Sequence, residues 1–176
     1  ECFRKMKDKR IFPNVGTYVS ILKACALVGS VQIGEDIDAE VRNKGLIHKD
    51  IVLGTALVDM YCKCGSLSDA KYVFKEHSGD NIVIWSTMLT GYVDYGYERD
   101  ALTLFGQMQN RGIAINNVVF MSVLRACCEI DTIQCGYLFH MLIVENDCLD
   151  EFIGSALINL YVKHANLNDA YHTFSE

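Results

Sequence analysis

The sequence predicts an all-α solenoid of antiparallel helix-turn-helix repeats, and two internal matches carry that prediction. VLGTALVDMYCKCGSLSDAKYVF at 52–74 returns one hundred residues later as FIGSALINLYVKHANLNDAYHTF. Gly54 and Gly154, Tyr61 and Tyr161, Lys63 and Lys163, and Asp69 and Asp169 stay in step. TYVSILKACALVGSVQIG from Thr17 matches VFMSVLRACCEIDTIQCG from Val119 at an offset of 102. A recurring helical unit cannot bury its apolar face alone, so the copies must stack.

Each unit reads as two short helices. Val19, Leu22 and Ala26, then Ile33, Ile37 and Val41, recur at helical spacing. Turn residues separate the helices at Gly29-Ser30, Gly65-Ser66, Gly96, Asp131-Thr132 and Asn166. Ser66 with Asp69 predicts a capping box in which the hydroxyl takes an orphan amide, and Asn166 with Asp169 repeats it. Second helices are expected to stop at Gly45, Gly79 and Gly112, where a left-handed residue suits the end. The one proline, Pro13, falls between units. Trp85, Tyr92 and Phe105 sit at helical spacing and read as core. Units then run 15–50, 51–81, 82–116 and 117–150, with lengths of 36, 31, 35 and 34, before an incomplete unit at 151–176. Residues 1–14 read as the tail of a preceding unit, with Phe3, Met6 and Ile11 aligned on Phe105, Met108 and Ile113. The chain does not start with Met and its last unit is partial, so a fragment is expected, with any targeting segment upstream.

Composition excludes several function classes. No apolar run approaches the roughly 18 residues that span a bilayer. The net charge of −6 gives no global basic signature for nucleic acid. The eight cysteines suggest a disulfide scaffold at first sight. However, Cys62 and Cys64 become Val162 and His164 in the copy, which a bridge or metal site would not allow. Reduced, packing cysteines are expected. No cofactor is implied.

SILKACALVGSVQIG, LGTALVDMYCKCGSLSDAKYVF and IVIWSTMLTGYVDYGYERDALTLFGQMQNRGI resemble the L, S and P motifs of plant PLS-class pentatricopeptide repeat proteins. The order is partial P (1–14), L (15–50), S (51–81), P (82–116), L (117–150) and partial S (151–176). The resemblance implies a right-handed superhelix that binds single-stranded RNA in mitochondria or chloroplasts as a specificity factor for C-to-U editing. It also implies MORF-type accessory editing factors as partners of the L repeats. A monomer off the membrane is expected. A base per repeat, read by two or three side chains, is an established physical mode.

In this family the fifth and last residues of a motif specify the base, and the second flanks it. Carried over, the first S unit supplies Thr55 and Asn81 with Val52 as wedge, and the P unit supplies Ser86 and Asn116 with Val83. Both pairs resemble the adenine-reading combination, in which a short hydroxyl leaves room for a purine and an amide both donates and accepts. The L units place Val19 with Asp50, and Met121 with Asp150 and Val118, where little discrimination is expected. The last S unit offers Ser155 and Phe152. Lys63 and Lys163 hold the thirteenth place, where the family's cations approach phosphate, whereas Asp94 holds it in the P unit. A plainer reading stands beside each assignment: hydroxyls on an exposed first turn, and Val52 and Val83 in the core. The run Arg4, Lys5, Lys7, Lys9 and Arg10 reads as a solvated face.

An enzyme is not expected. The zinc deaminase of this family needs H-x-E and C-x-x-C, and neither occurs. His140 aligns with Asp38 and reads as a surface or groove residue. The alternative function is a tetratricopeptide-like protein-interaction scaffold, which the acidic charge favours.

Overall fold

A computed structural model describes the chain except residues 1, 2, 4, 7, 8, 10, 48, 49, 131, 132 and 176, with backbone alone at 167, 171, 174 and 175. The described residues after 14 form ten helices: α1 Val15–Val28, α2 Val31–Asn43, α3 Ile51–Lys63, α4 Leu67–His77, α5 Ile82–Asp94, α6 Glu98–Asn110, α7 Asn117–Glu129, α8 Ile133–Glu145, α9 Glu151–Lys163 and α10 Leu167–Ser175. Odd-numbered helices are the first members of helix pairs and even-numbered ones the second. The fold class is the all-α repeat that the internal matches predict. Among the described residues no helix is long and apolar enough to cross a membrane.

The chain forms two compact units, residues 1–79 and 80–176. In the first, α1 packs on α3, α3 on α4, and α2 backs both. Leu22, Ile37, Val41, Leu57 and Met60 are fully or almost fully buried there. In the second, α5, α7 and α9 pack in series, each backed by its partner helix. Trp85, Tyr92 and Phe105 are buried as expected, and Phe105 meets Phe139 edge-on at 5.0 Å. Val19 is half-buried, whereas Ile33 is 47% exposed. Ile11 is also exposed, unlike its counterpart Ile113.

The inner faces repeat in detail. A Cβ on Gly34 would overlap the buried Met60 side chain, and one on Gly136 would overlap buried Leu160. A second-helix glycine therefore lets the following first helix close in, in both copies. Tyr61 donates to Asp38 at 3.0 Å, and Tyr161 meets His140 Nδ1 at 2.8 Å. His140 is thus not merely a surface residue: it takes the place of Asp38 as partner of a buried tyrosine hydroxyl, which must be satisfied once out of water. Burial pushes the Tyr61 phenol well above its ordinary range, and the Asp38 charge adds to the effect.

Turn chemistry follows the sequence at Gly29, Gly45, Gly65, Gly96 and Gly112, all with positive φ. Two expectations fail. Gly79 is not left-handed, because α4 stops at His77 with Ser78 as its cap. Ser66 caps no amide with its side chain. Its hydroxyl turns to the Asp69 carboxylate instead, a charged and therefore stronger acceptor. Asn166 does cap, accepting from the Asp169 N–H at 3.3 Å. The described cysteines Cys25, Cys62, Cys64, Cys127, Cys128, Cys135 and Cys148 are reduced, outside any disulfide. Burial raises the thiols of Cys25 and Cys127, which keeps them protonated. Among the described residues no group of His, Cys, Asp and Glu could hold a metal ion.

Candidate nucleic-acid interface

Every first helix opens on a side-chain cap. Asn14 accepts from Thr17 N–H at 2.8 Å, Asp50 from Val52 at 2.9 Å, Asn81 from Val83 at 2.8 Å, Asn116 from Val119 at 3.1 Å and Asp150 from Ile153 at 2.8 Å. Asp50, Asn81, Asn116 and Asp150 are the closing residues assigned to base reading. The sequence announced the capping role through Asn or Asp directly before an apolar run, a signal the sequence reading did not use. The cap bond occupies the side-chain oxygen. In Asn81 and Asn116 it leaves the amide nitrogen Nδ2 to donate, a group that Asp50 and Asp150 do not have. The second carboxylate oxygen of Asp150 accepts from Asn117 Nδ2 at 2.5 Å.

The second residue of each helix lies in the open. Val52 is 57% exposed, Val83 54%, Val118 54% and Phe152 75%. The core reading of Val52 and Val83 is therefore wrong. Single exposed apolar side chains are ordinary, but these four hold one helical position. The fifth residues lie one turn on. Thr55 donates to Ile51 O at 2.8 Å, Ser86 to Val83 O at 3.0 Å and Ser155 to Glu151 O at 2.8 Å. With its proton committed to the helix, each hydroxyl can only accept from a ligand. Ser86 is the most enclosed at 8% exposure, Ser155 is exposed, and Thr55, Val19 and Met121 are half-buried.

Within the second unit a cleft of about 580 Å³ runs between α7 and α9. Met121, Phe152 and Ser155 line it, so three assigned residues meet in one groove. Arg125, Glu129 and Asn159, which the sequence reading passed over, share its wall.

The cations are engaged. Lys63 pairs with Asp59 at 2.9 Å and Lys163 with Glu129 at 3.0 Å. Arg125 pairs with Asp94 at 2.8 Å. Of the amino-terminal basic run, Lys5 and Lys9 are exposed, and Arg4, Lys7 and Arg10 lie outside the described residues.

Comparison with known proteins matches this architecture. The PPR repeat family matches residues 80–129, the pentatricopeptide repeat domain 1–28 and a further PPR repeat 55–76. A chloroplastic pentatricopeptide repeat-containing protein of Arabidopsis thaliana is 34% identical, over 98% of this chain and 28% of the relative. A mitochondrial one from the same plant is 33% identical, over 98% of this chain and 25% of the relative. The chain thus spans about a quarter of the length of these relatives. Among solved structures, the pentatricopeptide repeat protein PPR10 from maize superposes with a TM-score of 0.77 at 17% identity, over 98% of this chain and 25% of that one. PPR10 in complex with an 18-nt psaJ RNA element gives a TM-score of 0.79 at 17% identity, over 97% of this chain and 26% of that one. With repeat matches over more than half of its residues and relatives aligned along nearly its whole length, the chain belongs to the pentatricopeptide repeat family.

Proposed function

We propose that this chain binds single-stranded RNA sequence-selectively through the exposed faces of its first helices, as part of a site-recognition factor for organellar C-to-U editing. The observation that carries the reading is the row Val83, Val118 and Phe152 of the second unit, three apolar side chains held open at one helical position, the position that exposed Val52 holds in its own helix of the first unit. Such side chains suit the flat faces of unpaired bases, which stack on apolar and aromatic surfaces without regard to sequence. Selectivity comes from the residues beside the row. Ser86 presents an acceptor and Asn116 a donor. An adenine offers the complement on its Watson–Crick edge, an amino donor and a ring-nitrogen acceptor. Thr55 with Asn81 is the same combination, assigned by register alone. In the L units Val19 and Met121 contribute shape without hydrogen bonds.

The PPR10–RNA complex supports RNA as the ligand, and the chloroplastic and mitochondrial relatives support an organellar site of action. The PLS order of the repeats, the editing role and the thirteenth-place lysines as phosphate contacts belong to the same proposal. Docking of MORF-type factors on an L unit finds support in α8, where Leu138, Met141 and Val144 are 56%, 63% and 54% exposed. The same stripe is what favours the protein-scaffold alternative. Titration of the chain against short single-stranded RNAs that differ at one position decides between them. Base-dependent affinity supports the proposal, and the absence of RNA binding leaves the scaffold in front.

A further inference from the structure

On α5, α7 and α9 each cation is held by a carboxylate of the preceding first helix. Arg125 of α7 meets Asp94 of α5 at 2.8 Å, and Lys163 of α9 meets Glu129 of α7 at 3.0 Å. The four side chains are 52%, 46%, 47% and 61% exposed in that order. Ion pairs this open add little to folding, so stability gives a weak reason for them. Their position is more telling. Arg125 and Glu129 line the cleft that also holds Met121, Phe152 and Ser155.

We propose that Asp94 and Glu129 compete with RNA phosphates for Arg125 and Lys163, and that Arg125 is a phosphate-binding residue of this groove. The inference rests on the RNA-binding reading above. The guanidinium fork matches a phosphate at least as well as a carboxylate. A phosphate that enters must displace Asp94 and then sit beside the released anion. This stretch therefore binds RNA more weakly, and with a shallower salt dependence, than its cations alone would give. The competitors are built into the helices, at the thirteenth place that Lys163 holds in α9.

The test is binding of a mixed-sequence single-stranded RNA across a salt series, by the chain alone and set into a longer pentatricopeptide array. Thermal unfolding of each variant checks the fold. Asp94→Asn and Glu129→Gln are expected to tighten binding at low salt by about threefold or more and to steepen the salt slope by up to about 0.7 per freed cation. Arg125→Ala weakens binding, and the gain from Asp94→Asn vanishes in the Asp94→Asn, Arg125→Ala double variant. Unchanged or weaker binding by the folded carboxylate variants overturns the proposal. So does a gain from Asp94→Asn that survives Arg125→Ala, since that reports general charge removal. If the unaltered chain binds no RNA in either setting, the RNA reading falls and this inference with it. Binding that the carboxylates do not modulate removes this inference alone.

Discussion

Glu35, Asp36, Asp38, Glu40, Arg42 and Lys44 lie along α2 and just beyond it, and 102 residues later the same places hold Tyr137, Leu138, His140, Leu142, Val144 and Asn146. Not one charge survives. The inner face of the same helices is kept: Gly34 and Gly136, Ile37 and Phe139, and Val41 and Ile143 are buried in both. The polar networks change as wholes. In the first copy the Tyr18 hydroxyl donates to Glu40 at 2.7 Å and accepts from Lys44 at 2.6 Å. In the second Phe120 has no hydroxyl, and Leu142 and Asn146 stand where its partners would. Asp38 holds Tyr61 and Arg42, and Arg42 reaches on to Glu76 at 2.7 Å, whereas His140 holds Tyr161. The comparison teaches that helix-pair geometry is specified by the inner face and by one satisfied tyrosine. The outer face is left free for ion pairs in one copy and an apolar stripe in the other.

Substitution at the shared glycines should break the comparison most strongly. Gly136→Ala forces a methyl against Leu160 and is expected to cost about 1–3 kcal/mol in urea unfolding. Gly34→Ala should cost less, because the obstructing atoms are the flexible end of Met60. A neutral Gly136→Ala would contradict the close approach.

The tyrosines come next. Tyr61→Phe removes a hydrogen bond to a charged group at a carboxylate only 12% exposed, and is expected to cost about 1.5–3 kcal/mol. Tyr161→Phe removes a bond to an imidazole and should cost about 1 kcal/mol. Equal losses in denaturant unfolding would mean that the two networks are equivalent after all.

The smallest effect concerns turns. Ala165, with φ 56°, stands where the first copy has Gly65, and Asp147, with φ 51°, stands where it has Gly45. Ala165→Gly should stabilise by about 1 kcal/mol, because a Cβ is strained in the left-handed region. Asp147→Gly should gain less, since Asp tolerates that conformation better. A drop in melting temperature for Ala165→Gly would show that the strain is absent.

These elements mark how far the sequence was readable. Period and glycine placement exposed the helix pairs, because each rests on a few local residues. The failure at Ser66 was local too: whether its hydroxyl turns to an amide or to Asp69 depends on a rotamer, not on spacing. Arg125 with Asp94 was invisible, since the two lie on different helices 31 residues apart and only packing joins them. The role of His140 was hidden because its alignment with Asp38 acquires meaning only beside Tyr161. Exposure of Val52 and Val83 was undecidable from a pattern that suits core and wedge alike.

The central claim is base reading by the residues that flank the exposed row, and Asn116 offers the most direct measurement. Asp serves as an N-cap as well as Asn does. Asn116→Asp therefore keeps the α7 cap on Val119 N–H and replaces the amide donor by a charged acceptor, so affinity for all four RNAs falls and the base preference is the readout. Affinities of both proteins are to be measured for RNAs carrying each of the four bases at the position read by Ser86 and Asn116. Expected is a preference for adenine worth about 1–3 kcal/mol, by analogy with base readout in DNA. In Asn116→Asp the preference moves towards guanine, whose edge offers donors to the new acceptor. Equal affinity for all four bases in both proteins would contradict the account.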